Sequence, residues 1–279
     1  MSTLQARRLL AKNVNLPTLP SVMQKLSALL QDPDTGAREV GLLIAEDVAL
    51  TGKVLKIANS AYYGLRERCL APQQAASILG IKVLRNVVMQ ASVMKQYDHL
   101  KGGEFDVEAL WRHSILTAHC SQFLARKCQN SVGLAPDELY ICGLLHDLGK
   151  VVLLDSLRAE YLAVVADSAD HGSQLLRAEE ERLGFTHADV GALVAQQWGL
   201  PEAVTRAIQF HHVTAEDGEE DAVVLLVRAT NQIAHAIQDD DPAASEILDE
   251  DLRHYLGVKP EAVAELIDFG QTTLNGIVL

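Results

Sequence analysis

The sequence predicts an all-α protein. Three observations carry that expectation. Apolar residues recur at helical spacing through most of the chain, aromatic residues make up only 5% of it, and no stretch alternates apolar and polar residues long enough to demand a strand. Hydrophobic residues account for 48% of the 279, enough for one large core or two modest ones.

The elements follow in order. Residues 21–30 place Val22, Leu26, Leu29 and Leu30 on one helical face, and Pro20 before Ser21 is a start signal. The segment Asp32-Pro-Asp-Thr-Gly36 stops that helix. With glycine at the third ligand position it reads as a turn rather than a calcium loop. Residues 40–45, 49–58, 73–79 and 82–95 are again apolar at helical spacing, with Gly80 separating the last two. Paired glycines within residues 98–106 mark a composition break and the expected linker. It divides an N-terminal helical lobe, 1–105, from a second lobe, 106–279. In the second lobe, helices are expected over 108–127, 136–148, 156–166, 173–183, 188–198, 201–211, 221–237 and 260–274. Their joints are marked by Gly133, Gly149, Gly172, Gly184, Gly199 and Gly257.

Charge divides the chain as well. Residues 1–105 carry 13 Lys/Arg against 8 Asp/Glu, a net of +5, and the remainder carries −18 of the overall −13. So acidic a second half repels phosphate backbones, which argues against a nucleic-acid partner. The longest apolar run, residues 139–145, falls far short of the roughly twenty that a membrane span needs. Arg7, Arg8 and Lys12 precede any signal-peptide core, so no membrane role and a cytoplasmic location are expected. Cys69, Cys120, Cys128 and Cys142 form no CxxC pair, which suits a reducing compartment. The acidic runs at 216–221 and 239–241 read as solvated loops or helix starts.

Nine of the ten histidines lie in the second lobe. His146 and Asp147 interrupt an apolar helix just before Gly149, which is expected to end it. A buried His-Asp pair is costly unless it coordinates something or is fully hydrogen-bonded. His113 lies on the helix led by Trp111, His187 opens the helix that follows it, and His211-His212 closes another. Five imidazoles and one carboxylate on separate helices can converge in a bundle core, as helical metal sites do. His119 falls about 240° around its helix from His113 and so points elsewhere. His99, His171, His235 and His254 read as solvent histidines. Cys142, one turn before His146, reads as a small apolar filler.

The series His113, His146-Asp147, His187 and His211-His212 resembles the metal ligands of the HD superfamily of phosphohydrolases, particularly its HD-GYP branch. Further blocks resemble the HDOD domain. They are Leu16-Pro-Thr-Leu-Pro20, Ile44-Ala-Glu-Asp47, Leu50-Thr-Gly-Lys-Val-Leu-Lys-Ile-Ala-Asn-Ser60, residues 75–80, Trp111-Arg-His-Ser114, residues 143–150 and Trp198-Gly-Leu-Pro201. The resemblance covers roughly residues 15–235. It implies a multi-helix HD-type bundle with an N-terminal helical lobe, in a bacterial signal-transduction protein that works through a regulatory protein partner. It also implies a divalent transition metal, iron, manganese or zinc, as one or two ions. Many members of the family have lost the ligands and serve as interaction modules.

Two departures from the HD pattern matter. Asn231 stands at the final aspartate position and offers a neutral oxygen, leaving Asp147 as the sole anionic ligand, so one ion is favoured over two. The GYP stretch is absent, and the acidic segment after His212 argues against hydrolysis of cyclic-di-GMP. On the resemblance, His113, His146, Asp147 and Asn231 would hold a primary ion, and His187, His211 and His212 a second ion or a substrate phosphate. In a metal-dependent phosphohydrolase acting on a nucleotide or other phosphorylated small molecule, Asp147 and Lys150 would be the catalytic pair, Lys150 meeting a phosphate oxygen. The alternative for Lys150 is a charged cap at a helix C-terminus. Three readings stand: a metal-binding regulatory module, which is favoured; an active phosphohydrolase; and a metal-free scaffold. Asp47 and Asn59-Ser60, polar within apolar helices of the first lobe, read as caps or hydrogen bonds between the lobes.

Overall fold

The computed structural model describes residues 14–32, 34–129, 132–168, 173–213 and 221–279. Among these, regular structure is entirely helical. His171 and residues 216–220 of the acidic run lie outside the described residues. No helix among those described is long and apolar enough to cross a membrane. The backbone groups into two compact units. Among the described residues, one contains those of Gly102–Gln271 together with residues 14–18, and the other those of Leu19–Lys101 with Thr272–Leu279.

The smaller unit is built from α1 (Ser21–Leu29), α2 (Ala37–Ala45), α3 (Val48–Ala58), α4 (Pro72–Leu79) and α5 (Ile81–Gln96). Its polar residues act within the unit. Asp47 caps α3 by accepting from the Leu50 N–H at 2.9 Å and also pairs with Lys95 on α5. Asn59 clamps the loop before α4: its amide accepts from the Cys69 N–H at 2.8 Å and donates to the Cys69 carbonyl at 2.9 Å. Helices α2 and α4 meet at Gly41, where a Cβ would stand 2.5 Å from the Gln73 backbone.

The larger unit is organised around α6 (Val107–Lys127), most of whose residues are buried. Against it pack α7 (Pro136–Leu145) and α13 (Ala222–Gln238). The remaining helices are α8 (Leu148–Ser156), α9 (Arg158–Asp167), α10 (Ser173–Leu183), α11 (His187–Gln197), α12 (Glu202–Phe210), α14 (Glu250–Leu256) and α15 (Pro260–Gly276). The expected helix over 136–148 is thus two helices, with the chain reorienting at Asp147 (φ −99°, ψ 8°).

Gly149 does not end a helix; it lies in the first turn of α8. A Cβ there would fall 1.8 Å from the His187 carbonyl oxygen, so the glycine is required by the approach of α8 to α11. Gly191 completes the crossing from the α11 side, 3.5 Å from the Gly149 nitrogen by the same measure. Lys150 follows Gly149 inside α8, so it is not a C-terminal cap either. Two small residues at one crossing bring Asp147 and His187 together.

Candidate metal centre

Each candidate side chain is delivered by a helix end or a buried helix face of the larger unit. His146 continues α7 in helical conformation, and Asp147 occupies the N-cap position of α8. His187 is the first residue of α11, whose start is fixed by a capping box. The Asp189 carboxylate accepts from the Thr186 N–H at 2.9 Å, and the Thr186 hydroxyl accepts from the Asp189 N–H at 3.3 Å. His211 caps the C-terminus of α12 and His212 follows it. His113 lies on α6 and Asn231 on α13.

These residues converge. The ligand atoms of Asp147, His187, His211 and His212 lie within 4.8 Å of one another, and so do those of His113, His146 and Asp147. Asp147 is common to both groups and uses a different oxygen for each. Its Oδ1 is 3.3 Å from His187 Nε2 and 3.6 Å from His211 Nε2. Its Oδ2 is 3.4 Å from His146 Nε2 and 2.8 Å from Lys150 Nζ. His212 Nε2 stands 3.1 Å from His187 Nε2. Asn231 faces the pocket, with its Oδ1 2.7 Å from His113 Nε2.

The outward nitrogens are committed. His146 Nδ1 is 2.7 Å from the Gly143 carbonyl and His211 Nδ1 is 2.7 Å from the Ile208 carbonyl, so each must carry its proton there. His113 Nδ1 meets Gln238 Oε1 at 2.8 Å, and His187 Nδ1 meets the Glu179 carboxylate at 2.8 Å. In His146 and His211 the Nε2 lone pair is left to face the centre, the arrangement in which an outer hydrogen bond fixes the tautomer of a metal-binding imidazole, whereas His113 has an amide oxygen at each ring nitrogen. His146 Nε2, His211 Nε2 and Asp147 Oδ1 are buried and have no hydrogen-bond partner among the described residues. Native interiors rarely leave such atoms unsatisfied. Buried acceptors orphaned on both sides of one carboxylate fit a cation, and the nitrogen-rich donor set with one carboxylate suits iron, manganese or zinc.

The electrostatics agree. Burial opposes ionisation of Asp147, yet the Lys150 ammonium and His146 hold its carboxyl well below the usual range. Burial pushes His211 down to about 4, and burial with its neighbour His235 holds His113 well below the ordinary imidazole value. Burial, His211 and His187 likewise depress His212. These imidazoles are therefore neutral, and free to donate a lone pair, at neutral pH. His187 differs: burial is the largest influence and lowers it, but the Glu179 and Asp147 carboxylates together raise it above the ordinary imidazole value.

Three residues of the site escape a reading of the histidine motifs. Glu179 is fully buried at the wall and bonds His187. Its spacing from Leu175 and Leu183, four residues either way on α10, places it on an apolar stripe where a carboxylate is out of pattern. His235 is not a solvent histidine. It stacks on His113 with ring centroids 3.9 Å apart, and burial lowers it to about 4. Gln238 joins it: Asn231, His235 and Gln238 fall at i, i+4 and i+7, one face of α13.

The other assignments stand apart from the cluster. His119 packs edge-on against Tyr140, and His99 and His254 are exposed. Cys142 is fully buried among apolar neighbours, which pushes its thiol up and leaves it inert.

The HDOD domain family model matches residues 16–214. An uncharacterized protein of Treponema pallidum (strain Nichols) is 30% identical over 206 residues, which make up 74% of this chain and 39% of that longer protein. Among solved structures, an HDOD domain protein of unknown function from Geobacter sulfurreducens is similar at a TM-score of 0.79 and 24% identity, over 99% of this chain and 98% of that one. A Shewanella amazonensis protein provisionally described as a phosphohydrolase is similar at 0.74 and 24%, over 98% of each chain. At these identities the two structures speak for the fold.

Proposed function

The chain belongs to the HDOD domain family, and we propose that it is a regulatory module whose buried pocket holds one divalent transition-metal ion. The observation that carries this reading is the set of buried acceptors with no hydrogen-bond partner among the described residues, His211 Nε2 and Asp147 Oδ1 on one side of the carboxylate and His146 Nε2 on the other, the two imidazoles turned inward by outer hydrogen bonds. His113, His146, Asp147, His187, His211 and His212 are its candidate ligands, with Asn231 as a neutral oxygen donor. A single ion follows from charge, because Asp147 is the one anion among them and two dications would be poorly compensated in a buried site. The deficit also argues for regulation through a protein partner over turnover. A bound metal of this class would supply Lewis acidity and an acidified water. A cytoplasmic setting belongs to the same proposal, since all four cysteines are free.

A second reading, a metal-dependent phosphohydrolase, is favoured by Lys150. Its ammonium is buried beside Asp147, where a phosphate oxygen of a phosphorylated small molecule could meet it.

Elemental analysis of protein purified without a metal-affinity tag tests both readings. About one ion of iron, manganese or zinc per chain is expected, and none in a His146→Ala/Asp147→Ala double variant. With bis(p-nitrophenyl) phosphate and nucleotide monoesters, no metal-dependent turnover is expected. Turnover abolished by Asp147→Asn would replace regulation with hydrolysis. A wild-type protein that takes up no metal after reconstitution would reject both readings and leave a metal-free scaffold.

A further inference from the structure

We infer that Glu179 is a positioning residue that assigns the ion to the His187 side of Asp147, an inference that rests on the metal-binding reading above. Among the described residues, His187 is the candidate ligand that Glu179 hydrogen-bonds. Its carboxylate accepts three hydrogen bonds: from the His187 N–H at 2.9 Å, from His187 Nδ1 at 2.8 Å and from the Tyr161 hydroxyl at 2.9 Å. Both Glu179 and Tyr161 are completely buried. A buried carboxylate is expensive, and here two of its three hydrogen bonds serve one residue.

The other imidazoles lack this support. The outer nitrogens of His146 and His211 face neutral carbonyls, and that of His113 faces a carboxamide. A carboxylate behind a ligating histidine strengthens the lone pair on the opposite nitrogen more than a neutral acceptor does. His187 is therefore the strongest donor of the set.

The two faces of Asp147 differ in the same sense. Lys150 Nζ sits 2.8 Å from Oδ2, placing a positive charge on the side that His113, His146 and Asn231 share. Oδ1 has no hydrogen-bond donor among the described residues and is faced by His187 and His211. A cation near Oδ1 meets the carboxylate oxygen that Lys150 does not bond and, one imidazole away, the negative charge of Glu179. A cation near Oδ2 competes with an ammonium and finds a neutral amide where a second carboxylate would be needed. The tight site is thus Asp147, His187, His211 and His212, and the His113–His146–Asn231 side is weak or vacant.

The test measures Zn²⁺ affinity by competition with a chromophoric chelator, and the visible spectrum of the Co²⁺-loaded full chain, in four variants. Glu179→Gln is expected to weaken binding by roughly 10- to 100-fold and to shift the Co²⁺ bands. Tyr161→Phe removes the outer hydroxyl but keeps the charge, and should stay within about threefold of the wild type. Independently of whether Glu179→Gln folds, His187→Ala should lose the ion, whereas His113→Ala should keep it. The inference is overturned by wild-type affinity in Glu179→Gln, by equal losses in Tyr161→Phe and Glu179→Gln, or by loss of the ion in His113→Ala with retention in His187→Ala. Those outcomes leave the metal-binding reading intact, whereas a wild type that binds no Zn²⁺ overturns both.

Discussion

At the scale of single residues, the site depends on which atoms are left without partners. The motif positions were visible in the sequence because a His and an Asp within an apolar run are out of place there. Their supports were not. Nothing in a sequence shows that His146 and His211 each hand a proton to the carbonyl three residues earlier, or that Asp147 divides its two oxygens between two groups of histidines. His235 reads as a solvent histidine in the sequence, yet on α13 it shares a face with Asn231, and that face meets His113. Asn231 carries a prediction. Asn231→Asp adds the missing anion 2.7 Å from His113 Nε2 and so should raise the metal content from about one ion to about two per chain. Elemental analysis after reconstitution and desalting checks this; an unchanged single ion would show that charge is not what limits the count.

At the scale of elements, helix periodicity located most of the helices, and glycines were its weak point. A glycine after an apolar run normally announces a helix end. Gly149 instead sits where two backbones nearly touch, a fact of tertiary packing that leaves no local trace. The same cause hid the break between α7 and α8, because residues 139–154 are apolar apart from His146, Asp147 and Lys150 and are buried throughout. The short helix α14 was missed too: at seven residues it offers too few turns for a periodic signal. Gly149→Ala should destabilise the larger unit by about 1–3 kcal/mol, the usual cost of overpacking. It should also cost metal affinity, because the displaced backbone is that of His187. Thermal unfolding of the metal-free protein together with a Zn²⁺ titration would show both effects. A stable variant with normal affinity would contradict the close crossing.

At the scale of the whole molecule, the asymmetry of charge was legible from the start, and the units differ in how they use it. In the smaller unit, acids are held by lysines. Burial works against the charge of Asp98, but Lys53 and Lys101 prevail and hold its carboxyl below the ordinary value of 3.8. A depressed carboxyl stabilises the fold above its unfolded value, and that contribution is lost as pH falls through the folded value. Below about pH 4, then, the unit should weaken, and Lys53→Met should lose less stability than the wild type between pH 5 and pH 3. Urea midpoints at the two pH values give the comparison, and equal losses would remove Lys53 from the account. In the larger unit the acids meet histidines as well as cations, and metal binding there must release protons, so affinity should fall as pH drops.

The measurement that bears most directly on the central claim is anomalous scattering from a crystal of the reconstituted protein, recorded above and below the absorption edge of the metal it retains. One strong peak is expected within coordination distance of Asp147 Oδ1 and the Nε2 atoms of His187 and His211. No peak in that pocket from fully reconstituted protein, or a peak only at a surface site, would contradict it.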